Sequence, residues 1–146
     1  MYPYVDEYNV EDLKESNIQH SDGTKAKFFS SARPNVVKKH FEWMRDYGIS
    51  GVFHMRFMQD IEKPHNRAWK TKVLRNVRAA AEQTGRVFAV SYNIAGNNVN
   101  NSVLDDLKSD WMDLVDNEEI TQSGRYLRHN GLPVLRIYGI GFKSVW

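Results

Sequence analysis

The sequence contains no cysteine and only 4 prolines among its 146 residues. Without cysteine, the chain can form neither a disulfide framework nor a zinc–thiolate site. It also lacks any run near the roughly 18 consecutive apolar residues of a membrane-spanning helix. Its first residues, Met1 to Asp6, have neither the basic start nor the apolar core of a signal peptide. We therefore expect no membrane span and no signal peptide within these residues.

The chain also lacks a large excess of either positive or negative charge. The chain has 20 basic and 18 acidic residues, which gives a formal net charge of +2. A nearly neutral chain does not indicate a nucleic-acid or membrane-surface partner. The proportions of hydrophobic and charged residues, 41% and 26%, are those of a globular protein.

What is present is an alternation of short apolar runs and amphipathic segments. The apolar runs predict strands near 50–57, 86–93 and 133–139. The amphipathic segments predict helices near 35–47, 66–84 and 102–116. Such an alternation is typical of βα units with a parallel sheet, so the predicted fold class is α/β. No glycine-rich phosphate-binding motif follows any strand, and nucleotide binding is not expected.

The length fits one domain over residues 1–146. Residues 1–33 show little periodicity, and we expect them to form a long irregular segment. Residues 34–146 carry the βα repeats. On the second helix we expect Trp69 to lie in the inward apolar stripe, and on the third we expect Asp110 to be exposed like its neighbouring aspartates.

Side chains alternate along a strand, so residues two apart share a face. We predict that the polar side chains near the strand ends form one face, which carries His54, Arg56, Ser91, Asn93, Arg136 and Tyr138. The more apolar alternate residues are predicted to pack on the helices, and these are Phe53, Met55, Phe57, Phe88, Val90, Tyr92, Leu135 and Ile137. The predicted substrate-binding residues are His54, Arg56, Asn93 and Tyr138.

Each of these residues also fits a structural role. His54 fits a hydrogen-bonded core histidine, and Arg136 fits a partner of a buried acid. No strand ends in Asp or Glu, and the loop acids Asp60 and Glu62 fit solvated surface equally well. The five histidines have no metal-ligand spacing. We therefore predict no catalytic residue, no metal site and no cofactor in this chain.

Several motifs resemble those of one enzyme group. They are Tyr2-Pro3-Tyr4, Pro34 through Phe57 with His40, Trp43-Met44 and Tyr47-Gly48-Ile49, Val87 through Asn93, Asp110-Trp111-Met112, and Gly131-Leu132-Pro133-Val134. The chain resembles glycoside hydrolases related to families 99 and 71, the endo-α-mannosidase and α-1,3-glucanase groups. These include Bacteroides-type proteins labelled xylosidase/arabinosidase. In this resemblance Tyr2-Pro3-Tyr4 is the end of a first strand.

The resemblance implies a (β/α)₈ (TIM) barrel, which needs roughly 250 residues. The chain would then be the N-terminal half of a secreted or periplasmic enzyme of carbohydrate metabolism, an incomplete half-barrel with its catalytic acids beyond Trp146. The α-glucanase group tends to carry Asp where this chain has Asn93. The implied partner is an oligosaccharide or polysaccharide, and open sheet edges would favour self-association.

Three functions remain open on these residues. The first is the part of a glycosidase barrel that supplies substrate contacts but not the catalytic carboxylate pair. The second is a non-catalytic carbohydrate-binding module. The third is an α/β interaction domain with no sugar site.

Overall fold

The computed structural model describes residues 3–95 and 101–140. Its helices are α1 (Pro34–Asp46), α2 (Met58–Ile61), α3 (Pro64–Thr84) and α4 (Asn101–Asp116). Its strands are β1 (Leu13–Gln19), β2 (Lys25–Phe29), β3 (Gly51–Phe57), β4 (Val87–Asn93), β5 (Arg128–His129), β6 (Leu132–Pro133) and β7 (Leu135–Tyr138). Short 3₁₀ turns lie at Val10–Asp12 and Ile120–Gln122.

The central sheet has the strand order β3-β4-β7, and both of its pairings are parallel. The predicted parallel strands and the α/β class are thereby confirmed. The third strand is shorter than predicted, because its first residues form β6 and pair with β5 in a separate antiparallel hairpin. Phe88 also bridges to Tyr126, which extends the contact of β4 with the segment before that hairpin.

The three predicted helices are confirmed to within two residues at each end. Both α1 and α3 begin at a proline, which suits the first turn because its missing N–H has no helical partner. Helix α3 ends before Gly85, whose φ of 73° is left-handed. Glycine adopts that conformation without a steric cost, so it stops the helix and starts β4.

The prediction of an irregular segment over residues 1–33 is wrong. Strands β1 and β2 form an antiparallel hairpin, with Leu13 opposite Phe29. Strand β1 is polar and largely exposed, and β2 has only five residues, so the hydrophobic alternation that identifies a strand is absent from β1 and very short in β2. Pro3 and Tyr4 lie outside any strand, contrary to the resemblance, and Tyr2 lies outside the described residues.

An aromatic cluster attaches this N-terminal hairpin to α1. The Tyr8 ring lies 5.1 Å from the Phe29 ring and 5.6 Å from the Trp43 ring, centroid to centroid. The Tyr8 hydroxyl also hydrogen-bonds Nε2 of His40. His40 and Trp43 belong to α1, so the motif residues of that helix hold the hairpin.

The hydrophobic core lies between the central sheet and the helices. Strand β4 contributes Phe88, Val90 and Tyr92, all with no solvent exposure. The helices contribute the buried side chains Phe41, Leu74, Val77, Ala81, Leu107 and Leu114. Burying a large apolar side chain stabilises the fold by roughly 1.5–3 kcal/mol. This face of the sheet is therefore the helix-packed face.

The close approach of β3 to β4 gives a test of the sheet. A Cβ added at Gly51 would lie 1.9 Å from the backbone oxygen of Val87. We expect Gly51→Ala to destabilise the protein by about 2 kcal/mol or more, because the clash is with backbone that cannot rotate away. Gly124→Ala is the control, since nothing lies within 4 Å of its added Cβ. Urea unfolding of both variants measures the difference, and equal midpoints would contradict this β3–β4 packing.

Candidate functional site

The register of the sheet decides which side chains share a face. His54 pairs with Val90, and Arg56 pairs with Tyr92, so both lie on the helix-packed face. Asn93 pairs with Phe57 and with Tyr138, and these lie on the opposite face. The prediction that His54 and Arg56 share a face with Asn93 and Tyr138 is therefore wrong. Alternation along a strand shows which of its residues share a face. Only the pairing register shows which residues of the neighbouring strand lie on that same face.

The opposite face, which we call the open face, is built in rows across the strands. It carries the side chains of Phe53, Met55, Phe57, Ala89, Ser91, Asn93, Arg136 and Tyr138. Three of its aromatic rings are exposed to solvent: Phe53 at 46%, Phe57 at 43% and Tyr138 at 38%. The prediction that Phe53, Met55 and Phe57 pack on the helices is wrong. Large apolar side chains at this exposure form a patch suited to a ligand or a partner.

Arg136 crosses the middle of the open face. Its guanidinium carbon lies 5.2 Å from the centroid of the Tyr138 ring and 5.7 Å from that of Phe53. Phe53 is on β3 and Arg136 on β7, with β4 between them, so the arginine side chain extends over β4. Both rings attract the cation through their π-electrons. Within residues 3–95 and 101–140, no carboxylate lies within 4 Å of this guanidinium, so the structural alternative, a pairing with a buried acid, does not occur there.

Two polar side chains of β4 complete this face. Ser91 has no solvent exposure, and its Oγ has no hydrogen-bond partner among the described residues. The Asn93 Oδ1 accepts a hydrogen bond from the Ala95 N–H at 2.9 Å. That bond fixes the amide with its oxygen toward the backbone, so its NH₂ group is the part left to donate.

A cation from α3 borders the open face at the C-terminal end of β3. The Lys70 ammonium lies 5.5 Å from the Phe57 ring centroid and 5.7 Å from the Trp69 ring centroid. It also forms an ion pair of 3.1 Å with Asp60. Trp69 is 43% exposed, so its predicted place in the inward stripe of α3 is wrong. Asp60, which was predicted in a loop, lies on α2 and is held by this cation at the rim.

Arg56 belongs to a buried network on the helix-packed face. Its Nε and Nη2 donate to the two carboxylate oxygens of Asp110 at 2.8 and 2.7 Å. The Tyr92 hydroxyl donates to the same carboxylate, and the Thr71 hydroxyl accepts from Nη2 at 3.4 Å. Arg56, Tyr92 and Asp110 have no solvent exposure. Burial and the Asp110 charge raise the pKa of Tyr92, so its hydroxyl stays protonated and donates.

Sequence reasoning missed Asp110, which was predicted to be exposed. On α4 it lies seven residues after Val103 and three after Leu107, and both are buried. It therefore falls within the inward stripe of the helix, and the spacing carried that signal. An acid in an apolar stripe needs a buried cation, which Arg56 supplies.

His54 lies between the sheet and the helices, in a groove of about 350 Å³ that α1 and α3 also line. Its Nε2 has no hydrogen-bond partner among the described residues. Burial lowers the pKa of His54 to about 4, and the positive charges of Arg56 and Lys70 act in the same direction. The imidazole is therefore neutral at pH 7.

A larger cleft of about 400 Å³ lies between α3 and α4. Its two arginines already have partners: Arg75 pairs with Glu118, and Arg67 donates to the Ile61 carbonyl at 3.0 Å and lies 3.7 Å from an Asp110 oxygen. Within the described ranges, no group of three or more His, Cys, Asp or Glu residues could hold a metal ion. Nor is any described helix both long and apolar enough to cross a bilayer. The open face is the stronger candidate site.

The buried ion pair predicts a large loss of stability from a small change. Asp110→Asn keeps the shape of the side chain but leaves the Arg56 charge uncompensated in the core, so we expect a loss of about 3 kcal/mol. The control on the same helix is Asp105→Asn, whose pair with Lys108 is 3.8 Å long and exposed. We expect at most about 0.5 kcal/mol there. Thermal and urea unfolding compare the two, and a stable Asp110→Asn variant would contradict the network.

His54 predicts a loss of stability in acid. The folded state resists protonating this imidazole until pH 4, whereas the unfolded chain binds the proton from about pH 6.5 downward. Stability should therefore fall as the pH drops from 6.5 to 4, by up to about 3 kcal/mol. His54→Gln should flatten this slope, and the exposed His129→Gln should leave it unchanged. Urea unfolding between pH 7 and 4 measures the slope, and equal slopes would contradict the buried neutral histidine.

Comparison with known proteins adds no family to this geometry. The chain matches no protein-family model, no curated protein and no solved structure. The function is therefore inferred from the open face, its exposed rings and its polar side chains.

Proposed function

We propose that the chain is part of a glycoside hydrolase-like barrel and that its open face contacts a carbohydrate without supplying a catalytic carboxylate pair. The observation that carries this proposal is the set of exposed rings, Phe53, Phe57 and Tyr138, beside Asn93 and Arg136. Sugar rings pack their C–H groups on aromatic faces, and their hydroxyls take hydrogen bonds from amide and guanidinium groups.

The row at the C-terminal end of the sheet supports a binding role. Phe57, Asn93 and Tyr138 are paired across β3, β4 and β7 at the last residue of each strand. Ligands of βα folds bind at the C-terminal ends of the strands, where loops close around them. Of the four predicted substrate-binding residues, Asn93 and Tyr138 keep that role in the proposal. His54 and Arg56 act from the helix-packed face as structural residues.

The barrel itself is supported by how the sheet is covered. Helices pack on one face of the parallel sheet, and aromatic side chains are exposed on the other. In a (β/α)₈ barrel the inner face is closed by further strands. Within the described residues, the outer edges of β3 and β7 pair with no strand. An incomplete half-barrel accounts for both features, and such edges favour self-association.

Catalysis is left out of the proposal because the open face carries no acid. Glycoside hydrolysis uses two carboxyl groups, one of which protonates the leaving oxygen while the other attacks or activates water. Asp60 at the rim is bound to Lys70, and Glu62 is exposed on the loop that follows α2. The two alternatives differ on ligand binding alone: a carbohydrate-binding module would share the glycan contact, and an interaction domain would lack it.

Titration of residues 1–146 with α-mannan and α-1,3-glucan oligosaccharides tests the contact. We expect weak binding that falls about three- to tenfold in Tyr138→Ala, because a stacking ring is lost. Tyr47→Ala is the control, since Tyr47 is 81% exposed at the C-cap of α1 and is not part of the open face. Calorimetry or NMR shifts measure binding, and circular dichroism confirms the fold of each variant. Equal affinities of Tyr138→Ala and Tyr47→Ala would contradict the proposal that the open face binds the saccharide.

A hydrolysis assay on the same substrates tests the missing carboxylate pair. We expect no turnover by the wild-type chain. Asp60→Asn and Glu62→Gln serve as matched controls, because they remove the acids of α2 and its C-cap with little change of shape. Turnover that disappears in either variant would show that these acids are catalytic and that the proposal is wrong on this point.

A further inference from the structure

The polar groups of the open face are unbalanced in charge. Its charged residue is Arg136, and its amide and hydroxyl groups come from Asn93, Ser91 and Tyr138. None of its side chains is Asp or Glu. A neutral sugar hydroxyl both donates and accepts hydrogen bonds, and carboxylates often accept the hydrogen bond that it donates. This face instead offers a cation and the Asn93 NH₂ group, which suit a ligand that accepts hydrogen bonds and carries negative charge.

Among the described residues, the arginines with polar contacts bind either a carboxylate or a backbone carbonyl, and Arg125 and Arg128, for example, donate to carbonyls. Arg56 is paired with Asp110, Arg75 with Glu118, and Arg78 with Glu82. Within residues 3–95 and 101–140, Arg136 has aromatic rings around it and no carboxylate within 4 Å. Those rings hold the guanidinium over the sheet, so little side-chain freedom is lost when it binds a ligand. Among the described residues the arginine is thus a preorganised cation without a carboxylate partner.

The surroundings of Arg136 also favour a planar anion. Beneath it, Ser91 is fully buried with an Oγ that has no partner among the described residues. The row Met55–Ser91–Arg136 lies on the same face as the row Phe57–Asn93–Tyr138, two residues nearer the N-terminal ends of the strands. An anionic group that enters between these rows meets the guanidinium fork and the NH₂ of Asn93. The fork of arginine matches the two oxygens of a carboxylate in a bidentate pair.

We propose that the carbohydrate bound by the open face is acidic, and that Arg136 binds the carboxylate of a uronic acid unit whose ring stacks on Tyr138. This inference rests on the proposed function, since it names the class of sugar for the same face. The guanidinium lies 5.2 Å from the Tyr138 ring centre, and that ring is 38% exposed, so a sugar unit whose carboxylate binds Arg136 lies within reach of the exposed part of the ring. Arg136 then determines specificity, and Tyr138 supplies contact that neutral and acidic sugars share.

The test compares one saccharide with and without its charge. Residues 1–146 are titrated by calorimetry with an oligogalacturonate, with its fully methyl-esterified neutral form, and with a sulfated neutral oligosaccharide of the same length. We expect the oligogalacturonate to bind about tenfold or more tightly than either of the others. Its affinity should fall as salt rises, because the pair is electrostatic.

Two substitutions at Arg136 separate charge from geometry. Arg136→Gln should lower the affinity for oligogalacturonate about tenfold or more and leave the methyl ester within about twofold. Arg136→Lys keeps the charge but loses the two-pronged guanidinium geometry. Its affinity for oligogalacturonate should therefore lie between those of the wild-type chain and of Arg136→Gln. Arg33→Gln is the control, because Arg33 is exposed just before α1. Circular dichroism confirms that each variant is folded.

The outcomes separate this inference from the proposed function. If the charged and esterified forms bind with equal affinity, and Arg136→Gln does not change their ratio, the inference of an acidic ligand is wrong. The proposal that the open face binds carbohydrate is then unaffected. Equal or tighter binding of the sulfated form overturns the carboxylate. Loss of both ligands to the same extent in a folded Arg136→Gln assigns a structural role to the arginine and also overturns the inference. No binding of any saccharide overturns the proposed function and the inference together.

Discussion

The ion pair between Arg56 and Asp110 is the interaction on which the arrangement of sheet and helices depends. It joins the C-terminal part of β3 to the middle of α4, with both oxygens of the carboxylate bound and the Tyr92 hydroxyl added from β4. Burying two charges is costly, and only close geometry offsets that cost. Helix and strands can therefore meet in one relative position, because any shift would leave a charge unpaired in the core.

That constraint also decides which face of the sheet is open. Once Arg56 and Tyr92 point toward α4, the alternation along β3 and β4 puts Phe57, Ser91 and Asn93 on the other face. The parallel pairing with β7 then adds Arg136 and Tyr138. Arg56, whose charge must be paired when it is buried, thus faces the helices, and the aromatic rings face outward. Buried electrostatics, and not the count of polar residues per face, sets this orientation.

The open face combines features that usually occur apart. Its rings are exposed, its middle strand is fully buried at Ala89 and Ser91, and a cation lies across that strand. Rings of this kind provide surface for stacking, and the cation provides selectivity for charge. A neighbouring cation, Lys70, lies against Phe57 and holds Asp60 at the rim. Positive charge therefore lies beside the exposed rings, both at the middle of the face and at its rim.

Local pattern determined the βα alternation, the three parallel strands and the helix ends, because apolar periodicity and the stop at Gly85 act within a few residues. It also placed Asn93 and Tyr138 at strand ends. The hairpin β1–β2 carried no such pattern along the polar strand β1, and it is stabilised by tertiary contacts, in which Tyr8 and Phe29 pack on Trp43 and His40 of α1. The facing of Arg56 and His54 was likewise decided by tertiary structure. Period-2 alternation gives two equivalent faces, and only the buried partner Asp110, 54 residues away, chooses between them.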